Sequence, residues 1–180
     1  MTDGGDRPRT VLRPLRPDDA ARIAAWGLDE RFRRAADWSE PDGDKHERFH
    51  RQLIEHPSPD QERFGVEVDG ALVGCVELYR QATPGEFEVG IVIGPSAAWG
   101  NGYGVAALRA ALELAWRELG AGRVWAETHE PNLRSRRMLA AAGFREIGRQ
   151  GADTYDGTQA ALIQFEITEP SRVEPESATS

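Results

Sequence analysis

A glycine-rich stretch holds the residues whose types and spacing are best suited to chemistry. It reads Trp99-Gly100-Asn101-Gly102-Tyr103-Gly104 and lies between a predicted strand and the most regular predicted helix. Glycines let a backbone approach a ligand closely, and the following helix points unpaired N–H groups and the positive end of its dipole into the same space. Such a loop can hold a pyrophosphate. It is neither a Walker loop nor a G-x-G-x-x-G dinucleotide loop, and a plain tight turn is the alternative.

Two acidic residues precede this loop on one strand. Every second residue of the segment 87–93 is apolar, which places Glu86 and Glu88 together on the opposite face. A carboxylate that lies beside a second one and is partly removed from water has a raised pKa. The pair can therefore supply acid–base chemistry, although a solvated strand face is the alternative.

A third pattern is a literal H-E-x-x-H, His46-Glu47-Arg48-Phe49-His50, which on a helix would place two histidines one turn apart, as zinc proteases require. A catalytic zinc also needs a third protein ligand and a buried setting, whereas this segment is highly charged and residues 51–56 contain no glycine. We therefore predict no metal site and place the histidines at the surface. Cys75, in an apolar strand, is predicted to belong to the core rather than to act as a nucleophile.

The elements that must position these residues follow from periodicity. Residues 103–119 are predicted to form a helix, because four apolar residues from Leu108 to Leu119 share one face and Gly120 ends it. The other predicted elements are strands at 10–15, 64–68, 71–79, 87–93, 124–128, 144–148 and 160–167, and helices that open at Pro17-Asp18-Asp19 and cover 44–56 and 132–142. The order β-α-α-β-β-β-α-β-α-β-β predicts an α/β (α+β) domain with a mixed, mostly antiparallel, twisted sheet of six to seven strands and about four helices.

Composition restricts the classes of function. The 180 residues carry a formal net charge of -8 and include one cysteine. A negative field repels nucleic-acid phosphates and favours cationic partners, no apolar run approaches the roughly 20 residues that span a bilayer, and a single cysteine suits a reducing compartment. We therefore predict one cytoplasmic domain over residues 10–167 that binds neither nucleic acid nor membrane, with disordered tails at 1–9 and 168–180.

Taken together, the motifs resemble those of the GNAT superfamily of N-acetyltransferases. Gly102-Tyr103-Gly104 matches the glycine core of the acetyl-CoA signature Gln/Arg-x-x-Gly-x-Gly/Ala, with Trp99 at its first position, as is common in the branch that holds ribosomal-protein N-terminal acetyltransferases. The segment from His129 to Phe144 matches the second family motif, an Asn-x-x-Ser helix that ends in Gly-Phe. The stretch 62–78 is also similar to the equivalent region of spermidine acetyltransferases.

The resemblance implies acetyl-CoA as cosubstrate, no metal, and a role for each part of the site. Backbone groups of 91–93 and the side chain of Asn132 would bond the pantetheine arm, and amides from 100 to 105 would hold the pyrophosphate. Core packing at 91–93 and helix capping by Asn132 are the alternatives. The cofactor-binding residues implied in this way are Ile91, Val92, Ile93, Trp99, Gly100, Asn101, Gly102, Tyr103, Gly104, Val105, Asn132 and Ser135.

The implied reaction is aminolysis of a thioester, which needs a base for the amine and an acid for the leaving thiolate. Many relatives use a tyrosine four residues before the Gly of Gly-Phe as the acid, and this chain has Leu139 there. Ser135 is the nearest replacement, with a solvent-facing serine as the alternative. Glu88 is the candidate base, because histone-acetylating relatives place theirs at the same distance before the signature. Glu77 in the neighbouring strand is a further candidate.

The resemblance leaves the amine acceptor open among protein N-termini, polyamines and aminoglycoside-like antibiotics. Residues 17–58 and the 80–88 turn are expected to build its pocket, with Trp26, Phe32 and Trp38 either in an aromatic wall that meets a cation or in the core. Because the usual tyrosine is missing, a non-catalytic acyl-CoA-binding or sensor domain is the alternative function, and a zinc hydrolase is a third. The family also allows a homodimer.

Overall fold

The protein forms one seven-stranded sheet with helices on both faces, in a computed structural model that describes residues 9–38 and 43–170. The strands are β1 (Thr10–Pro14), β2 (Gln61–Val68), β3 (Ala71–Arg80), β4 (Glu86–Ile93), β5 (Arg123–His129), β6 (Arg145–Tyr155) and β7 (Thr158–Thr168). The helices are α1 (Asp19–Trp26), α2 (Glu30–Ala35), α3 (Gly43–Glu55), α4 (Tyr103–Arg117) and α5 (Leu133–Ala142). The sheet order is β1-β2-β3-β4-β5-β7-β6.

The pairing of β4 with β5 positions the functional site. It is parallel, whereas the other neighbouring strands pair antiparallel. Only Glu86–Glu88 of β4 lies opposite Arg123–Trp125 of β5, although β4 continues to Ile93 and β5 to His129. Beyond residue 88 the two strands separate, which leaves their facing backbone groups available to other partners. The sheet is therefore open at its middle.

Two apolar clusters attach the helices to the two faces of the sheet. On one face, α4 and α5 pack through residues such as Leu108 onto Phe87 and Val89 of β4. On the other face, Ile23 of α1 packs with Cys75 of β3 in a smaller cluster. None of the described helices has the length and apolar composition needed to span a bilayer.

The predicted fold class is confirmed, and the largest difference is an additional short helix. Helix α2 buries one side chain, that of Phe32, so it has no apolar period that sequence reasoning could detect. It begins where the carboxylate of Asp29 accepts a hydrogen bond from the Phe32 N–H, at 3.1 Å. Strand β6 extends to Tyr155, whereas the prediction ended it at Gly148. The outer half was missed because it is exposed and its sequence lacks the alternation of a half-buried strand. The predicted tails lie mainly outside the described residues.

The packing of α3 corrects two expectations about its side chains. Phe49, expected in the apolar stripe, is 55% exposed, and His50, expected at the surface, is buried. The His50 ring stacks on Trp38, with ring centroids 5.5 Å apart. Trp26 and Phe32 are buried core residues. Of the three aromatic residues considered for the acceptor wall, Trp38 and Phe32 each border a cavity, and these are different cavities.

Candidate active site

The gap between β4 and β5 is a cleft of about 350 Å³. Residues of β4, β5, α2 and the start of α5 line it. Seven of the residues predicted from the sequence meet there: Glu88, Ile91, Val92, Ile93, Trp99, Asn132 and Ser135. Candidate acid–base groups and candidate pantetheine contacts thus share one cavity.

The glycine loop at the end of this cleft has the geometry of an anion cradle. Gly100 and Gly102 adopt φ of +84° and +81°, and a Cβ on either would meet no atom within 4 Å. The first hydrogen bond at the start of α4 runs from the Ala106 N–H to the Gly102 carbonyl, at 3.1 Å. The N–H groups of residues 103–105 are therefore left for other acceptors. Asn101 does not line the cleft or the smaller cavity beside the glycine loop. Its side-chain amide instead donates to the Ala98 carbonyl at 3.1 Å.

Gly104 has a different role from the other two glycines. A Cβ at this position would lie 2.3 Å from the sulfur of Met138 in α5. Such a distance is a severe overlap, so any side chain at position 104 would require the Met138 side chain to move. The side of Gly104 that faces α5 is not open space for a ligand.

Two arginines that sequence reasoning missed lie beside the cradle. A cavity of about 260 Å³ joins the glycine loop to Arg134 and Arg137 of α5. The Arg134 guanidinium lies over the Trp99 indole, 3.3 Å from the ring centroid, and the indole N–H donates to the Ile93 carbonyl at 2.6 Å. Burial and the charge of Arg31 lower the pKa of Arg134. The signal available in the sequence was the position of both arginines in the first turns after Asn132.

Helix α5 brings Ser135 to the cleft. The Asn132 side chain caps this helix by accepting a hydrogen bond from the Ser135 N–H, at 3.1 Å. This cap uses the amide oxygen and leaves the NH₂ group of the side chain as a donor, so capping and ligand binding are compatible. Leu139, one turn further along, is 2% exposed and belongs to the main core. The position that carries a tyrosine in many relatives therefore supplies no proton here.

The acidic candidates are distinguished by their neighbours. Burial, together with the charge of Glu127 on β5, raises the pKa of Glu88. Glu86, the neighbour expected from strand alternation, instead pairs with Arg123 at 3.1 Å. Glu77 accepts hydrogen bonds from the Arg63 Nε, at 2.6 Å, and from a tyrosine hydroxyl. The carboxylate that perturbs Glu88 thus comes from the strand across the cleft.

Comparisons with known proteins agree with this geometry. Residues 9–145 match the family model described as Acetyltransferase (GNAT) domain. The chain belongs to the GNAT acetyltransferase family. No curated protein matches the sequence significantly.

Solved structures share the fold of this GNAT protein at low sequence identity. RimJ from Mycobacterium smegmatis, in complex with CoA-disulfide, is 23% identical over 89% of this chain and 82% of its own, with a TM-score of 0.74. Spermidine N-acetyltransferase from Vibrio cholerae, in complex with CoA and spermine, is 22% identical over 88% of this chain and 95% of its own, with a TM-score of 0.73. An acetyltransferase (GNAT family) from Bacillus anthracis is 18% identical over 91% and 96%, with a TM-score of 0.76.

One further residue of the GNAT cleft was given no role from the sequence. His129, the last residue of β5, lines the cleft, and its Nε2 atom is buried without a hydrogen-bond partner. Its ring stacks on Tyr155 of β6, with centroids 4.8 Å apart. The signal was its position at the end of a strand, as the first residue of the second GNAT motif.

The histidines of the H-E-x-x-H segment pack against one aromatic side chain. His46 and His50 both stack on Trp38, at centroid distances of 4.9 and 5.5 Å. In the described parts of the chain, no three histidine, cysteine or acidic side chains are grouped so that they could hold a metal ion. Cys75 is a core residue, as expected, and burial raises the pKa of its thiol to about 12.

A separate cavity of about 570 Å³ lies on the face of the sheet that carries α1 and α3. We call it the acceptor-side cavity and define it by Trp38, His50, Arg63, Glu77, Tyr79 and Gly90. It shares Ile91, Val92 and Glu127 with the cleft. The two cavities therefore meet where β4 and β5 separate.

Proposed function

We propose that this GNAT protein transfers an acetyl group from acetyl-CoA to the primary amine of a small molecule or a protein N-terminus, by direct attack in a ternary complex. The observation that carries the proposal is the cleft between β4 and β5. It is bordered by a carboxylate of raised pKa, Glu88, and by the hydroxyl residue Ser135, and it is continuous with the glycine cradle through Trp99.

The residues around the cradle fit acetyl-CoA as cosubstrate, which supplies an activated thioester when bound. The open space at Gly100 and Gly102 and the N–H groups of 103–105 suit the two phosphates of a pyrophosphate. Arg134 and Arg137 add positive charge on the opposite wall. The unpaired edge of β4 and the Asn132 amide offer hydrogen bonds to an amide-containing arm.

Two groups of the cleft, Glu88 and Ser135, each take part in one of the two proton transfers. Glu88 accepts a proton from the incoming ammonium, which frees the nitrogen lone pair for attack on the thioester carbonyl carbon. A C–N bond forms and the C–S bond breaks. Ser135 donates toward the sulfur, or water does so. A free thiol has a pKa near 8.5, so the thiolate is a good leaving group even without a strong acid.

None of the similar proteins described above identifies the acceptor of this chain. Solved neighbours include a spermidine N-acetyltransferase in complex with spermine and an aminoglycoside acetyltransferase in complex with kanamycin, and both of these ligands are amines. We propose an amine acceptor for this chain on the same chemical grounds. A cytoplasmic location and a homodimer belong to the proposal as well.

Release of free thiol from acetyl-CoA, measured with a panel of amines, tests the proposed function. We expect amine-dependent thiol release, with the acetylated amine identified by mass spectrometry. The buried Leu139 favours one competing reading, a non-catalytic acyl-CoA-binding or sensor domain. Calorimetric binding of acetyl-CoA without thiol release for any amine would establish that reading and contradict ours.

A further inference from the structure

Buried polar atoms without partners are concentrated around the site. Among the described residues, three buried side-chain nitrogens lack a hydrogen bond: Nδ1 of His50, Nη1 of Arg63 and Nε2 of His129. His129 lines the cleft, and the other two line the acceptor-side cavity. An unsatisfied buried donor or acceptor destabilises the folded protein, and a ligand atom that bonds it removes this cost. This distribution indicates that the acceptor-side cavity takes a polar ligand.

The Arg63 guanidinium is held in a fixed orientation. Its side chain is 10% exposed, and its Nε donates to Glu77 at 2.6 Å. Glu77 in turn accepts from the Tyr79 hydroxyl. Arg63, Glu77 and Gly90 lie directly opposite one another on β2, β3 and β4. Because Gly90 has no side chain, the row remains open from Arg63 toward the cleft.

The charges of the cavity are arranged in two zones. At the Arg63 end, Glu77 neutralises the guanidinium and leaves N–H groups as donors. At the cleft end, Glu127 borders both cavities and Glu88 lies close by. Carboxylates at one end attract an ammonium group, and a guanidinium N–H at the other end requires an oxygen acceptor. A fully protonated polyamine has no such acceptor and would place positive charge beside Arg63.

We propose that the acceptor is an amine that carries a carbonyl or carboxylate oxygen near its amino group, as the first residues of a peptide do, and that Arg63 and His50 bind this oxygen. This inference rests on the proposed function. It assigns Arg63 and His50 as specificity-determining residues of the acceptor-side cavity. The ammonium group then lies at the cleft end, toward Glu88, and the oxygen at the Arg63 end.

The test compares kcat/KM for three acceptors: the dipeptide Gly-Ala, its C-terminal amide, and 1,4-diaminobutane, which has no oxygen. We expect both dipeptide forms to exceed the diamine, and the ratio of the two forms separates recognition of a carboxylate from recognition of a carbonyl. In Arg63→Met, the ratio of dipeptide to diamine should fall about 10-fold or more, since a hydrogen bond to a charged group contributes about 1.5–3 kcal/mol. His50→Phe keeps the ring and should lower the ratio about 2–10-fold.

Arg63→Met leaves Glu77 without its cation, so the double variant Arg63→Met/Glu77→Gln is measured beside it to avoid an uncompensated buried charge. The matched control is Arg51→Met, because Arg51 forms a similar pair with Glu47 on α3, at 2.8 Å, but does not line the cavity. The control should keep the wild-type ratio. Equal or greater activity with the diamine, or an unchanged ratio in the double variant, overturns the inference. Absence of thiol release with every amine instead contradicts the proposed function.

Discussion

Glu77, Glu86 and Glu88 all lie on the face of the sheet that carries α1 and α3, but their partners differ. Arg63 and Arg123 pair with the first two at 2.6 and 3.1 Å, so each of those carboxylates already has a cationic partner. Glu88 is instead affected by burial and by Glu127, which raise its pKa. A raised pKa makes Glu88 a stronger base than an ordinary carboxylate, provided that the working pH lies above that pKa.

Exchange of Glu88 for Gln keeps the shape of the side chain and removes its basicity. We expect kcat to fall about 10²–10⁴-fold, with partial recovery at high pH as free amine accumulates. Ser135→Ala should lower kcat without that recovery, because the proposed target of its hydroxyl is the sulfur rather than the amine. Profiles of kcat against pH distinguish the two variants. Full activity of Glu88→Gln at every pH would transfer the role of base to another group, with Glu77 or Glu86 through a water as the next candidates.

Glu127→Gln tests the electrostatic coupling across the cleft. The charge of Glu127 raises the pKa of Glu88, so its removal should lower that pKa. The acid limb of the kcat/KM profile reports the ionisation of the base in the free enzyme and should therefore move to lower pH. Gln164 donates to Glu127 at 3.3 Å, and Gln164→Ala is a control that keeps the charge. An acid limb that does not move in Glu127→Gln would show that the two carboxylates are uncoupled.

At the level of elements, the site is produced by the meeting of α4, α5 and the divergent strands. Helix α4 supplies the N–H groups of the cradle, and α5 supplies Arg134 and Arg137 on the opposite wall. Gly104 allows the two helices to approach, because Met138 occupies the space beside it. A larger residue at position 104 would therefore displace the Met138 side chain, which lines both the cleft and the cavity beside the glycine loop. Such a variant cannot report on phosphate binding alone.

Arg137→Gln is a more selective test of the cradle. We expect calorimetry to show a loss of acetyl-CoA affinity of about tenfold, since one charge-assisted hydrogen bond to a phosphate is removed. Affinity for S-acetylpantetheine, which has no pyrophosphate, should not change. The neighbouring Arg136 pairs with Glu146 at 3.1 Å and lies outside the cradle, so Arg136→Gln is the matched control. Equal losses for both ligands would place the effect of Arg137 elsewhere than on the phosphates.

For the whole molecule, stability depends on pH through His50. Burial, followed by the charges of Arg63 and His46, lowers the pKa of His50 from 6.5 to about 4. Between these two values the unfolded chain binds a proton at this residue and the folded chain does not. The free energy of unfolding therefore decreases as pH falls from 6.5 toward 4, by about 3 kcal/mol at most from this residue.

His50→Phe should remove this part of the pH dependence. The phenyl ring can keep the stacking on Trp38, and it cannot be protonated. We expect the stability of the variant relative to the wild type to rise as pH is lowered through the interval from 6.5 to 4, measured by urea unfolding at each pH. His56→Phe is the control, because His56 is exposed and its ring lies outside the acceptor-side cavity. A stability difference that is the same at every pH would contradict the assignment.

The sequence by itself determined the features that depend on local spacing. The glycine loop, the apolar face of α4 and the cap at Asn132 each lie within a few residues, so pattern and helix geometry are sufficient to predict them. The family followed from two such patterns. The absence of the usual tyrosine could also be predicted, because its position, here Leu139, is counted from Gly143 only four residues later.

Only the tertiary structure decided which distant residues meet. Glu127 rather than Glu86 faces Glu88, because β5 joins β4 through a parallel crossover whose register no local pattern specifies. Arg63 and His50 share a cavity because α3 packs on the face of the sheet to which the Arg63 side chain of β2 projects. Burial also depends on this packing. His50 was predicted to lie at the surface, but it is buried beside the Arg63 guanidinium, and burial lowers its pKa so that the ring is neutral. The residues proposed to recognise the acceptor are therefore brought together by tertiary packing and not by any local sequence pattern.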